Sequence, residues 1–431
     1  MFDAPLWIVL SYLFVFGSVV GSFLNVCIYR IPRHDRFRDQ LSGLWSPRSH
    51  CPGCKHDLAM RDNIPIFGWL MLMGRCRYCR TSISPRYPLI ELFNGLLFVV
   101  VYWFEIPSGW YVTVRDSCLY APLGPQNLEL WTDSQFLHWR YFYHLVMLES
   151  LVVATMIDID LRIIPDGCTL PALAVGLLGG GLIGQMYLVP IWSQDPSMMR
   201  TLQSASPDWM DVLFSGPKVP AWTLEHPHLH GFAVSLAGML AGGGAVWAVR
   251  RIGFWTLKQE AMGFGDVVLM AMIGSFLGWQ PVLMVFFIAP ACALLVIATA
   301  WVVRRPREIP YGPYLSFATL VVLLFWKPLW PAAERWFDLG PLVPITALFG
   351  LVMLGVSLMM VQFVKYVLGI PLYPEPPDEY IEEWTPADQL TYLAGENVDR
   401  QQGCWKRDAW PGAAAGRGTT FSEQWRQGSS P

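Results

Sequence analysis

The residues with the most chemical potential in this 431-residue chain are carboxylates at the edges of apolar runs. Asp158-Ile-Asp160-Leu-Arg-Ile-Ile-Pro165-Asp166 follows one such run, and Met262-Gly263-Phe264-Gly265-Asp266 precedes another. An ionised Asp at a bilayer centre costs ~2.5 to 3.5 kcal/mol on insertion scales, so a carboxylate near or within a membrane helix is a functional candidate by default. Two facing carboxylates repel each other until one keeps a proton. One member then activates water as a base while the other protonates a carbonyl as an acid, which is aspartic-protease chemistry. The blander alternative has Asp158, Asp160 and Asp166 meeting water beyond a helix end, with Asp266 capping the helix that begins beside it. Gly263 and Gly265 free the backbone just before that helix.

A second constellation lies upstream. Cys51-Pro-Gly-Cys54 and Cys76-Arg-Tyr-Cys79 are two C-x2-C knuckles separated by twenty-one residues. The spacing is close to that of a four-thiolate zinc ribbon, in which each knuckle gives two sulfurs to one tetrahedral Zn2+. Four sulfurs leave no open position for water, so the metal reads as a structural staple. A redox reading of Cys-Pro-Gly-Cys lacks the surrounding βαβ pattern. Nine cysteines in all cannot pair completely, and Cys27, Cys168 and Cys292 fall in apolar runs as small hydrophobes. His226, His228 and His230 alternate in a loop and read as solvated side chains.

These groups must be positioned by membrane helices. The chain is 54% hydrophobic and 15% charged, with 30 Lys+Arg against 33 Asp+Glu, where soluble domains carry about 25% charged residues. That composition excludes whole-chain disorder and a nucleic-acid partner held by bulk positive charge. Five runs free of charge are long enough to cross a bilayer: Leu6 to Ile28, Cys168 to Pro190, Gly231 to Val249, Pro281 to Val303 and Gly340 to Val364. Four weaker ones fill the gaps: Tyr87 to Phe104, Tyr141 to Ile157, the run from Asp266 to Trp279, and Tyr314 to Pro331. The expected fold is an all-α polytopic membrane protein of eight or nine transmembrane helices with a small cytoplasmic zinc-ribbon-like loop.

Charge sets the orientation. The loop from Tyr29 to Arg86 carries eleven Lys+Arg against four Asp, and the other loops on its side gather Arg162, Arg250, Arg251, Lys258, Arg304, Arg305 and Arg307. The opposite loops hold only Arg115, Arg140, Arg200 and Lys218. The arginine-rich side is therefore cytoplasmic, with the N-terminus outside. The first helix reads as an anchor, since it lacks a basic start and a small-residue cleavage site. The organisation follows: residues 1–28 are the first span, 29–86 the cytoplasmic loop, and 87–335 a membrane core with outer insertions near 107–135 and 191–224. An additional span covers 336–370, and the acidic, polar tail 371–431 is expected to be disordered. The Gly-rich faces at Gly176/Gly179/Gly180/Gly181 and Gly238/Gly242/Gly243/Gly244 read as close helix packing in lipid.

Taken together these residues resemble the type IV prepilin peptidases, membrane aspartic proteases with a glycine-x-glycine-aspartate motif. Gly21-Ser-Phe-Leu-Asn-Val-Cys-Ile-Tyr-Arg-Ile-Pro32 is similar to the family's opening. Ser49 through Cys54, Asp62-Asn63-Ile64-Pro65, Gly74 through Cys79 and Ile83 through Glu91 are similar to its cytoplasmic loop. Asp158 before Ile164-Pro165-Asp166, Gly263-Phe-Gly-Asp266 and Ile309-Pro-Tyr-Gly-Pro313 follow in the family's order. The resemblance implies Asp158 and Asp266 as the catalytic pair, with Asp160 the nearest rival and Asp166 a structural or substrate-orienting neighbour. It further implies Zn2+ on Cys51, Cys54, Cys76 and Cys79, and a methyltransferase loop that includes Asn63, Pro65, Gly74 and Glu91. The implied activity removes the short basic leader of type IV prepilins or type II secretion pseudopilins at the cytoplasmic face of the inner membrane, then methylates the new N-terminus from S-adenosyl-L-methionine. Val268 stands where the family commonly has Lys, and Gly68-Trp69 where it commonly has Ser followed by Tyr or Trp.

Two other classes compete. One is a transporter that relays protons or ions through Glu91, Glu149 and Asp266, which calls for paired inverted halves that the sequence does not display. The other is a zinc-stapled assembly factor with no activity.

Overall fold

The computed structural model describes residues 5–34, 36–45, 49–51, 54–107, 133–215, 219–257, 262–302, 310–340 and 342–369. The expected tail, most of the insertion near 107–135 and Ile309 lie outside the described residues. Helices α1 (Leu6–Arg30) and α4 (Arg86–Glu105) flank the cysteine-bearing loop, which contains two short helices, α2 (Phe37–Ser42) and α3 (Phe67–Met71). Then come α5 (Asp133–Leu161), α6 (Asp166–Ile183), the short outer helix α7 (Pro196–Ala205), α8 (Pro227–Leu257), α9 (Phe264–Leu277) and α10 (Trp279–Val302). The chain continues through α11 (Gly312–Leu324), α12 (Trp326–Phe337) and α13 (Leu342–Val367).

Seven of these helices are long and apolar enough to cross a membrane. The nine expected spans are all present as helices, but two are not straight crossings. Helix α9 has 14 residues, about 21 Å at 1.5 Å per residue, against a hydrocarbon core of about 30 Å. Most of it is enclosed by its neighbours: Leu269, Met270, Met272, Ile273, Phe276 and Leu277 are buried, whereas Phe264 is exposed and Val267, Val268 and Ala271 are half-buried. The expected span from Tyr314 to Pro331 breaks at Phe325, where α11 and α12 meet at 98°. Trp326 and Trp330 stack with centroids 5.1 Å apart and face the core, whereas Trp336 is exposed, an amphipathic arrangement suited to a membrane boundary. The span expected to run on to Pro190 ends at Ile183, because Gly184 turns the chain with φ +89°.

Small residues let the core helices approach to backbone contact. A Cβ at Gly238 would strike the Gly274 carbonyl, and one at Gly242 the Met270 carbonyl, so α8 and α9 pack backbone on backbone. On α1, Gly17 lies against Phe98 and Gly21 against Asn94 and Glu91 of α4. The segment between α6 and α8 caps this bundle. The Trp279 indole N–H donates to the Ile191 carbonyl at 2.7 Å, Gln280 Nε2 to the Pro190 carbonyl at 2.7 Å, and the Asp195 N–H to the Asp338 carbonyl at 3.0 Å. His230 belongs to this cap and is not solvated as expected. It is buried, its ring meets Tyr187 and Trp222, and its Nε2 accepts from the Ile191 N–H at 3.1 Å.

Candidate active site and thiolate centre

Helix α5 extends beyond the expected Ile157 to Leu161, which places Asp158 inside its last turn. Asp158 is buried, and its Oδ2 accepts from the Gly312 N–H at 3.1 Å, at the start of α11. Gly312 is required there, because a Cβ would strike the Asp158 carboxylate. The carboxylate thus meets the unpaired N–H groups and positive dipole end of a helix. Asp266 stands in an equivalent setting of its own: Gly263 caps α9 with extended backbone (φ −68°, ψ 154°) and Asp266 lies buried in the first turn.

The two aspartates are brought to one locus by Ile164. A Cβ on Gly265 would come within 2.9 Å of the Ile164 side chain, and one on Gly312 within 3.3 Å of the same residue. One isoleucine therefore fills the space between the backbones that carry or bind the two carboxylates. The two are within Coulombic reach of each other, and the Tyr311 phenol is within reach of Asp266. Arg250 of α8 lies 5.8 Å over the Phe264 ring, so a cation borders the glycine motif.

The neighbouring carboxylates are placed differently. Asp160 Oδ2 accepts from Arg86 Nη1 at 2.5 Å, so the nearest rival is ion-paired to α4. Asp166 is exposed in the first turn of α6, and Gly167 beside it donates its N–H to the buried Gln40 Oε1 at 2.7 Å. Glu149 accepts from Asn94 Nδ2 at 3.1 Å, and Glu91 Oε2 accepts from the Ile66 N–H at 2.7 Å. Each of the latter two carboxylates is thus bound to a partner outside the Asp158–Asp266 pair. Neither Gln40 nor the spacer role of Ile164 is signalled by residue type or spacing. Gly312 lies in a quoted motif, but nothing in the sequence pointed it at Asp158.

The cysteine loop is built from two copies of one turn. The Cys51 N–H donates to the His56 carbonyl and the Lys55 N–H to the Cys51 carbonyl, while the Cys76 N–H donates to Thr81 and the Arg80 N–H to Cys76. Lys55 and Arg80 take positive φ, 57° and 62°, at matching places. The four Sγ atoms lie within 4.8 Å of one another, with Cys51 and Cys79 at 3.7 Å. Bonds of ~2.3 Å in a tetrahedron put sulfurs about 3.8 Å apart, so the four thiolates fit Zn2+. Hydrogen bonding from Thr81 lowers the Cys79 thiol pKa and so favours a metal-binding thiolate there.

The remaining loop residues divide in two. Asn63, Pro65 and Glu91 gather where the lobe meets α4: a Cβ at Gly68 would sit 3.6 Å from the Asn63 nitrogen, and Ile66, with φ +62°, turns its N–H onto Glu91. Gly74 takes φ +67° on the other side of Trp69, where a Cβ would lie 2.9 Å from the indole. Arg77 grips Asp62 through both Nε and Nη2, the shortest contact being 2.5 Å.

Residues 15–104 match the bacterial peptidase A24 N-terminal domain, and residues 219–299 match the type IV leader peptidase family. Over 318 residues the chain is 30% identical to a type 4 prepilin-like proteins leader peptide-processing enzyme of Escherichia coli, covering 71% of this chain and 90% of that protein. It is 29% identical to a prepilin leader peptidase/N-methyltransferase of Aeromonas salmonicida (74% of this chain, 91% of that one) and 30% identical to one of Stutzerimonas stutzeri (74% and 92%). No solved structure matches.

Proposed function

The chain belongs to the type IV leader peptidase family, and we propose that it is a membrane aspartic endopeptidase that cuts the basic leader from type IV prepilins or type II secretion pseudopilins. The observation that carries this reading is that the Gly265 backbone beside Asp266 and the Gly312 backbone bonded to Asp158 both close on Ile164. Asp158 and Asp266 share a proton; the charged member draws a proton from water as it attacks the scissile carbonyl, and the protonated member donates to the carbonyl oxygen. The Gly312 N–H keeps the Asp158 carboxylate fixed throughout. Positive charge in the adjoining loops supports a site at the cytoplasmic face of the inner membrane.

The second proposed activity is N-methylation of the cleaved product. S-adenosyl-L-methionine, when bound, supplies an electrophilic methyl group to the free amine. Asn63, Pro65, Gly74 and Glu91 belong to the lobe that serves this step, and Zn2+ on the four cysteines holds that lobe in shape without taking part in chemistry.

The reading is tested with a prepilin substrate in membranes. Asp158→Asn and Asp266→Asn each lose leader removal while still inserting, and full cleavage by either variant overturns the assignment. Cleavage lost in Asp160→Asn but kept in Asp158→Asn would move the role to Asp160.

A further inference from the structure

The segment from Met60 to Met73 carries apolar side chains that water would not tolerate cheaply. Met60 is 93% exposed, Phe67 64%, Met71 68% and Met73 82%, with Leu70 exposed beside them. Phe67, Leu70 and Met71 follow an i, i+3, i+4 pattern and so share one face of α3. The other side of α3 is spent internally: Gly68 abuts the Asp62 carbonyl, and the Trp69 indole N–H donates to the Ile83 carbonyl at 3.0 Å. Around the patch Arg61, Arg75 and Arg80 are exposed.

The depth of this patch follows from one hydrogen bond. Ile66 is joined to Glu91 at 2.7 Å, and Glu91 lies five residues beyond Arg86, where α4 begins. At 1.5 Å per residue that puts the Glu91 Cα about 7 to 8 Å inward from the level of Arg86, and its carboxylate, tilted back toward the helix start, somewhat less deep. Interfacial helices bury their apolar face about 5 to 10 Å into the headgroup and acyl boundary. We propose that α3 lies in the membrane interface on the arginine-rich side, with Phe67, Leu70, Met71 and Met73 among the upper acyl chains and Arg61, Arg75 and Arg80 against anionic phospholipid headgroups. The thiolate lobe is then moored flat on the bilayer. A cationic peptide is a poor occupant of the same patch, because the three arginines repel it.

The test uses the full chain reconstituted in bilayers containing phosphatidylglycerol, with a fluorescent amino acid placed at Phe67, Met71 or, as a reference, Lys55. Lipids brominated along the acyl chain should quench the first two sites at least roughly twofold more than the third, with soluble iodide showing the reverse order. Replacing phosphatidylglycerol by a zwitterionic lipid should weaken the bromolipid quenching. Iodide quenching of Phe67 and Met71 without bromolipid quenching overturns the proposal, as does protection from both quenchers, which would mean that a peptide or a second copy covers the patch. Indifference to lipid charge overturns the role of the arginines. The same result is expected in Asp158→Asn, so the mooring stands or falls apart from the peptidase reading.

Discussion

Two carboxylates 108 positions apart in sequence become chemically useful only because glycine stands beside each of them. Gly312 admits Asp158 to the first turn of α11, and Gly265 admits Ile164 to the α9 motif. Removing either proposed acid–base partner should lower leader removal on the order of 10² to 10⁴-fold, read as turnover of a prepilin by Asp158→Asn or Asp266→Asn. Gly312→Ala places a methyl group in the Asp158 carboxylate and should cost about 10²-fold through misplacement alone, with insertion and abundance unchanged. Asp160→Asn is the contrasting case. Its pair with Arg86 is partly exposed, and such pairs are worth ~0 to 1 kcal/mol, so the rate should fall by no more than roughly fivefold.

At the scale of elements, the thiolate lobe has too few enclosed apolar side chains to fold alone, and its order depends on cross-links. The metal is one: chelation, or Cys76→Ser, should unfold the lobe and abolish N-methylation while leader removal persists, which mass spectrometry of the mature N-terminus distinguishes in a single sample. The Asp62–Arg77 fork is another. Hydrogen bonds from Arg77 hold the Asp62 carboxyl below the usual carboxylate range. A depressed value in the folded state means that the fork stabilises the lobe at every pH above the ordinary carboxylate value and is lost as pH falls through the depressed one. Proteolysis of the lobe should therefore be flat across neutral pH and rise only below about pH 4, and Asp62→Asn should remove that pH step while raising the baseline. The two knuckles were legible in the sequence because thiolate spacing is set by local turn geometry. The Ile66–Glu91 joint was not, since a main-chain donor in a strained turn leaves no mark on residue types.

Across the whole molecule, what could be read in advance was whatever depends on apolar length: each expected span holds helix, though one is cut short at Ile183 and another is bent at Phe325. What could not be read depends on enclosure. Most of the short helix α9 is covered by its neighbours, and Trp326 and Trp330 pack at the break between α11 and α12. The same criterion separates core from periphery at the C-terminal side. Helix α13 has no buried residue and touches the bundle chiefly along α8, with Gly355 near Ile252. The Gly312 N–H that binds Asp158 and the Ile164 side chain beside Gly265 and Gly312 belong to other parts of the fold. A chain ending after Gly340 keeps the Gln194–Leu339 bridge that ties α12 to the outer insertion, so it should insert and cleave a prepilin at a rate within roughly twofold of the full chain, inside the range of changes away from a site. A tenfold or larger loss, with the truncated protein still abundant in the membrane, would make α13 a working part of the peptidase rather than a lipid-facing addition to it.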